Sequence, residues 1–163
     1  DVVLVFPHWG TEYVTTPSTY QKEFARQMTE AGADIIIGTH PHVVQPIEWV
    51  EADNGNKALC YYSLGSYVST QKDAISMLEG MAWVTFEATA GGVTIDEEKS
   101  GVIPLVCQYK SGPVRFDHIY LLEDYTQELA DAHGIRGYGG VSLKADKLKE
   151  WSTEIFGDFV LPK

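Results

Sequence analysis

The stretch Ile35-Ile36-Ile37-Gly38-Thr39-His40-Pro41-His42 decides how this sequence folds. Its three consecutive isoleucines predict a strand, and Gly38 marks the point where that strand ends. A second apolar run, Val2 to Phe6, predicts a strand that is buried on both faces, and Pro7 and His8 follow it directly. Histidines therefore follow two predicted strands directly, and ligands of α/β proteins gather at the carboxyl ends of strands.

The segment between these two runs predicts a helix, which makes residues 1–38 a βαβ unit. Thr16 and Pro17 suit a helix start, because threonine caps free N–H groups and proline lacks a donor that would be unpaired there. Four residues at helical spacing predict its buried stripe: Tyr20, Phe24, Met28 and Ala31. A βαβ crossover makes its two strands parallel, so the loops that carry His8 and His40 should share one edge of the sheet.

The rest of the sequence leaves the βαβ pattern. Asn54-Gly55 lies between two apolar runs and predicts a hairpin over residues 47–63. Two more hairpins are predicted at 81–96 and at 101–122, the second joined around residues 111–113, followed by helices at 124–133 and 142–156. Asp124 and Ser142 are the expected caps of these helices. This order predicts an α/β fold built on either a mixed sheet or a two-layer β sandwich flanked by helices, and the length predicts that residues 1–163 form a single domain.

Composition excludes several classes of function. The net charge of −11 in 163 residues argues against a nucleic-acid partner, whose phosphates need clustered lysine and arginine. No apolar run approaches the roughly 20 residues that a transmembrane helix needs. Because the chain begins at Asp1, inside a predicted strand and without an initiating methionine, we expect further residues upstream.

Cys60 and Cys107 lie in two separate predicted strands, without the spacing of a zinc knuckle or a redox pair. We expect both to be buried free thiols, and a disulfide between them is the alternative.

Metal binding is the chemistry that the strand-end histidines favour. His8, His40 and His42 are the candidate ligands, because neutral imidazole is a common ligand of zinc, manganese and iron. In an extended loop His40 and His42 would point to opposite sides, which suits two neighbouring ions, whereas a bent loop would suit one. The alternative is a set of turn histidines that bond to the backbone. His118 and His133 lie apart from this group and are expected to be structural.

Five neighbours complete the candidate pocket: Trp9, Glu12, Tyr13, Gln45 and Glu48. Glu12 suits the role of a carboxylate that orients a ligand histidine, with a solvated loop position as the alternative. Trp9 and Tyr13 are candidates for the pocket wall, although packing explains large aromatics equally well. A two-metal site needs a bridging carboxylate, and this sequence offers no obvious candidate.

Several motifs, taken together and in order, resemble the CapA-type capsule biosynthesis proteins. They are Pro7 to Tyr13, then Pro17 and Gln21, then Gly32 to Glu48, and finally Tyr62-Ser63-Leu64-Gly65. This family makes poly-γ-glutamate and is related to calcineurin-like metallophosphatases. The resemblance covers about the first 70 residues, and Ser66 stands where the family usually has asparagine.

The resemblance implies that the chain is the C-terminal portion of a four-layer α/β/β/α metallophosphatase-like sandwich. His8 and His40 would then hold one divalent ion, manganese, iron or zinc, and His42 the other. The family's Gly-Asp and Asn-His motifs lie in an N-terminal half that is absent here, so we expect the metal site of this segment to be incomplete.

The resemblance also implies a function: capsule biosynthesis at the extracytoplasmic side of the bacterial cell envelope, with metal-dependent phosphoester hydrolysis as the activity. The alternative is a non-catalytic envelope subunit for the synthesis or export of an anionic polymer. The expected partners are the N-terminal half and the polymer-synthesis subunits. Because a segment that begins on a central strand exposes an edge, a homodimer formed by strand pairing is a further hypothesis.

Overall fold

The first part of the chain forms a four-stranded mixed sheet. In the computed structural model, which describes residues 1–110 and 115–162, its strands are β1 (Leu4–Val5), β2 (Ile35–Ile37), β3 (Ile47–Glu51) and β4 (Lys57–Tyr61). Their order in the sheet is β1-β2-β4-β3. The predicted hairpin of β3 and β4 is confirmed, and β4 also pairs parallel to β2. The hairpin therefore extends the parallel part of the sheet, which the sequence did not indicate.

Helix α1 (Thr19–Glu30) connects β1 to β2 and completes the predicted βαβ unit. The two strands are parallel, with Leu4 opposite Ile35. The helix begins later than predicted: Ser18 is the cap, and its hydroxyl and the Gln21 side chain bond reciprocally to each other's backbone N–H groups. This capping box satisfies two N–H groups that would otherwise lack partners at the helix start.

The predicted buried stripe of α1 is wrong except at Met28, which is partly buried against the smaller hydrophobic cluster. The helix buries Gln21, Ala25 and Thr29, whereas Tyr20 is 63% exposed and Phe24 is 38% exposed. The small Ala25 lets the helix approach the sheet closely, and the buried Gln21 donates to the Gln45 side chain at 2.8 Å. Side-chain hydrophobicity alone therefore does not decide which face of the helix is buried.

The prediction that the first strand is buried on both faces is also wrong. β1 is an edge strand of only two residues. Leu4 is 47% exposed and Phe6, just after the strand, is 63% exposed. An edge strand has a neighbour on one side only, so its apolar side chains lack the cover that a central strand receives.

A second sheet has the order β5-β8-β9. Its strands are β5 (Leu78–Trp83), β8 (Gly101–Lys110) and β9 (Arg115–Leu121), and a short 3₁₀ turn, Ala74–Met77, precedes β5. The hairpin of β8 and β9 is confirmed, while its predicted turn at 111–113 lies outside the described residues.

The hairpin predicted at 81–96 is confirmed only in part. Its hairpin consists of β6 (Phe86–Thr89) and β7 (Gly92–Ile95). The preceding residues belong to β5 and pair with β8 instead. Between β5 and β6, the Thr85 backbone N–H donates to the Ser100 hydroxyl, which takes the chain out of the sheet.

Two helices follow the second sheet, as predicted, but their caps differ from the prediction. Helix α2 (Gln127–Ala132) is capped by Thr126, because Asp124 belongs to a 3₁₀ turn. Helix α3 (Ala145–Phe156) begins without a side-chain cap. Among the described residues, no helix is both long and apolar enough to cross a membrane.

Two hydrophobic clusters lie on opposite faces of the first sheet. The larger joins Ile35 and Tyr61 of that sheet to Val106 of the second sheet and Leu148 of α3. The smaller packs Ala25 of α1 against the other face. The mixed α/β class is thus confirmed, and the four-layer sandwich stays a prediction. Both cysteines are buried and free, as expected.

His133 is buried in the larger core and has the structural role that its isolation suggested. Its Nε2 lies 2.9 Å from the Cys107 carbonyl oxygen, and its Nδ1 accepts from the Ile135 N–H at 2.9 Å. Nε2 therefore carries the proton and the ring is neutral. Burial lowers the pKa of His133 from its ordinary value of 6.5.

We expect the pH dependence of unfolding to depend on His133. The folded state disfavours the charged ring, so the unfolded state binds the additional proton and wild type loses stability as the pH falls below 6.5. A His133→Gln variant is less stable than wild type at neutral pH, but it does not lose stability through protonation of this ring at lower pH. Its deficit in unfolding free energy should therefore narrow as the pH falls, which urea denaturation at a series of pH values measures.

His118→Gln on strand β9, at an exposed position, is the matched control and should follow the wild-type curve. A deficit of His133→Gln that stays constant across the same pH series would contradict this prediction.

Candidate functional site

The loops that follow β1 and β2 are joined by backbone hydrogen bonds. Thr39 donates its N–H to the Pro7 carbonyl at 2.9 Å, and Trp9 donates its N–H to the Thr39 carbonyl at 3.1 Å. Farther along, the Tyr13 N–H donates to the Pro41 carbonyl at 2.8 Å. These bonds continue the parallel pairing beyond the strands and bring the two histidine-bearing loops together, as predicted.

Trp9 supports the two loops from below. It is 4% exposed, its Nε1–H donates to the Tyr62 carbonyl at 2.9 Å, and its ring stacks on Tyr62 at 5.7 Å between centroids. Gly38 makes this approach feasible, because a Cβ there would lie 2.1 Å from both Trp9 Nε1 and the Tyr62 carbonyl oxygen. Trp9 is thus a packing residue beneath the site, which was the alternative to its role as a pocket wall.

The three candidate histidines lie next to one another. The ring centroids of His8 and His40 are 4.5 Å apart, and those of His40 and His42 are 6.2 Å apart. The loop is bent: His40 has φ +102° and His42 has φ +59°. Such values cost a non-glycine residue about 1–3 kcal/mol each, and the surrounding hydrogen bonds offset this strain.

His42 has a partner near each ring nitrogen. Its Nδ1 lies 3.2 Å from the Ser66 hydroxyl, and its Nε2 lies 3.8 Å from Glu12 Oε1. Tyr13 stacks on the ring at 6.0 Å between centroids, and its own hydroxyl donates to Gln71 at 3.0 Å. Glu12 and Tyr13 are therefore beside the site, as expected, and the loop that carries Ser66 reaches it.

Gln45 and Glu48 stabilise neighbouring parts of the fold. The buried Gln45 donates to the Val14 carbonyl at 2.7 Å and accepts from Gln21 at 2.8 Å, so it fixes the loop after His8 against helix α1. Glu48 accepts from Lys22 at 2.9 Å and from the Tyr62 hydroxyl at 3.1 Å. The structure places Glu48 with these partners and not with the histidines.

The donors have the right chemistry for a divalent metal ion, but their side chains do not converge on one point. Within the part of the chain that the structure describes, no three side chains of His, Cys, Asp or Glu come close enough together to hold an ion. Three histidines and a water would satisfy zinc in number, whereas manganese or iron usually needs more ligands. The histidines of this chain fit such a group only as a partial set.

Two polar contacts at the site were missed by the sequence analysis. The Thr39 hydroxyl lies 3.5 Å from His8 Nδ1. The buried Glu79 accepts from the backbone N–H of Ser66, the residue that contacts His42. Thr39 belongs to the histidine motif itself. Glu79 comes from a distant strand, and the glycine at Gly65, next to Ser66, was the one local sign of its close approach.

The first part of the chain is similar to known proteins. Residues 1–71 match the family described as "Bacterial capsule synthesis protein PGA_cap". Over 71 residues the chain is 48% identical to the PGA biosynthesis protein CapA of Bacillus subtilis (strain 168), and 45% identical to the capsule biosynthesis protein CapA of Bacillus anthracis. The match covers 44% of this chain but only 17% and 16% of those two proteins. It includes both histidine loops.

We expect Gly38→Ala to disrupt the support beneath the site. The added methyl group would collide with the Tyr62 backbone and the Trp9 indole, so the free energy of unfolding should fall by about 3 kcal/mol or more. Chemical denaturation measures the change. Gly91→Ala is the control, because its nearest neighbour would be 3.5 Å away and the stability should barely change. Equal effects of the two substitutions would contradict the prediction.

Proposed function

We propose that this chain, which is of the CapA type over residues 1–71, acts in the biosynthesis of capsular poly-γ-glutamate. The proposed location is the extracytoplasmic side of the bacterial cell envelope. The single observation that carries the proposal is the matched segment itself, because it contains the two joined loops on which the candidate histidines lie. The names of the two relatives supply the biological process.

The proposed activity is metal-dependent phosphoester hydrolysis. His8, His40 and His42 would supply part of the ligand set for manganese, iron or zinc, and residues outside these 163 would supply the carboxylates. The divalent ion would polarise the phosphoryl group as a Lewis acid. The clustering of the imidazole rings, with 4.5 Å between His8 and His40, supports this proposal.

The neighbouring side chains suit this role. Ser66 bonds to Nδ1 of His42, and an outer partner of this kind usually fixes a ligand histidine. The ion would bind at Nε2, where Glu12 lies 3.8 Å away. Thr39 stands in the same relation to His8 Nδ1. Tyr13 covers one face of the His42 ring and limits its rotation.

A non-catalytic envelope subunit is the second candidate. One observation favours it: the names of the two relatives state a biosynthetic process and no hydrolytic reaction. In that case the loops after β1 and β2 would bind polymer-synthesis subunits and would support polymer synthesis or export without catalysing a reaction.

Substitution of His40 separates the two candidates. In the complete gene product that carries this chain, we expect bound manganese to fall and kcat/KM for bis(p-nitrophenyl) phosphate to drop by about 100-fold or more in His40→Ala. Metal analysis and a phosphodiesterase assay measure the two effects.

His118→Ala removes an exposed histidine of strand β9 and should match wild type in both assays. If wild type binds no divalent ion, or if His40→Ala hydrolyses the substrate at the wild-type rate, the hydrolase proposal fails and the non-catalytic subunit stands.

The exposed edge of the first sheet supports a partner on that side. Among the described strands β1 pairs with β2 alone, and the apolar Leu4 and Phe6 beside this edge are about half exposed or more. We infer that further strands of the same CapA-like domain cover it, since the relatives are about six times longer than the matched segment. Alone, the 163-residue chain would instead pair with a second copy.

We therefore expect the isolated chain to dimerise with increasing concentration, as measured by sedimentation velocity. Phe6→Lys places a charge at the edge and should weaken the dimer by about tenfold or more. Phe116→Lys, at a similarly exposed position of β9, is the matched control. A chain that stays monomeric at every concentration would remove the dimer hypothesis.

A further inference from the structure

Glu79 is a fully buried acid whose carboxyl group lies beneath the loop of residues 63–67. It belongs to strand β5 and has no exposed surface. Its Oε2 accepts from the Ser66 backbone N–H at 2.5 Å. Its Oε1 has no hydrogen-bond partner among the described residues. A side chain that is buried at such cost usually has a specific role.

The loop is shaped to admit this carboxyl group. Gly65 has φ +82°, and a Cβ there would lie only 1.8 Å from Glu79 Oε2. Tyr67 also has a positive φ, at +59°. The chain therefore bends around the carboxyl group, and glycine is required where the two approach most closely.

Glu79 is a neutral acid around neutral pH. Burial raises the pKa of Glu79 to about 8, against the Ser66 and Tyr67 backbone N–H groups, which lower it. A neutral carboxyl group accepts the Ser66 N–H through one oxygen without leaving an unpaired charge in the core. This suits a constant structural contact with the loop.

Ser66 connects the buried acid to the site. Its backbone N–H bonds to Glu79, and its hydroxyl lies 3.2 Å from Nδ1 of His42. We propose that Glu79 is a positioning residue for His42: by fixing the Ser66 backbone it holds the serine hydroxyl as a donor at Nδ1. With the Glu12 carboxylate 3.8 Å from Nε2, this favours the tautomer that carries its proton on Nε2, in one orientation of the imidazole ring.

The significance of this role rests on the proposed function, in which His42 is a ligand. The contact itself needs no metal, so the two ideas can fail separately. A positioning role predicts that the tautomer of His42 changes when Glu79 is altered. A purely structural role for Glu79 in the core leaves the His42 ring as it is in wild type.

The test is to record the ring nitrogen shifts of all five histidines by NMR, in metal-free buffer with a chelator. Glu79→Gln keeps an acceptor for the loop, so His42 should retain the wild-type tautomer. Glu79→Leu removes the acceptor, and the tautomer ratio of His42 should fall about fivefold, the effect of one net hydrogen bond. Ser66→Ala should have the same effect with Glu79 intact.

The double variant Ser66→Ala/Glu79→Leu should match Ser66→Ala alone, because both changes act through one contact. His133 is an internal control for folding, since its tautomer depends on the core bonds to Cys107 and Ile135. His118 is exposed and controls for general changes in shift. If the His133 shifts change in Glu79→Leu, the Glu79→Asp variant is used in its place. The shorter aspartate side chain moves the acceptor away from the Ser66 N–H, so the tautomer ratio of His42 should fall as in Glu79→Leu.

Unchanged His42 shifts in a folded Glu79→Leu or Glu79→Asp variant would overturn the proposal. So would a double variant whose effects on His42 add up. The metal proposal is tested separately by His40→Ala, because the NMR samples contain no metal and the result does not depend on turnover.

Discussion

The backbone hydrogen bonds of Thr39 hold the site together. Thr39 donates to Pro7 and accepts from Trp9, so that the loop after β2 is bound on both sides to the loop after β1. The indole of Trp9 then anchors this pair of loops to Tyr62 in the buried part of the sheet. The strained backbone of the histidine motif persists because these bonds and the packing beneath them leave it no relaxed alternative.

The sequence predicted those parts of the fold that depend on local patterns. The three isoleucines 35–37 are a buried strand, and Asn54-Gly55 does turn a hairpin, because both signals arise from neighbouring residues. The orientation of α1 was mispredicted because hydrophobicity favoured Tyr20 and Phe24. The face of α1 that is buried is set by the hydrogen bond of Gln21 to the Gln45 side chain, which is distant in sequence.

The candidate site was predictable to a similar degree. The adjacency of His8 and His40 follows from the βαβ rule alone, and the structure places their rings side by side. The contact between Ser66 and Glu79 could not be inferred, because it depends on how the second sheet packs against the first. Gly65 was the one local sign, since a glycine in a turn often marks a close approach of another group.

The buried amide pair of Gln21 and Gln45 has a consequence for the uniqueness of the fold. Apolar surfaces tolerate sliding and rotation, whereas two amides at 2.8 Å that also bond to Ser18 and Val14 are satisfied in a single arrangement. Any other rotation of α1 would leave these groups without partners in the core. The pair therefore fixes one orientation of the helix on the sheet. It excludes the near-native orientations that a purely apolar interface would permit.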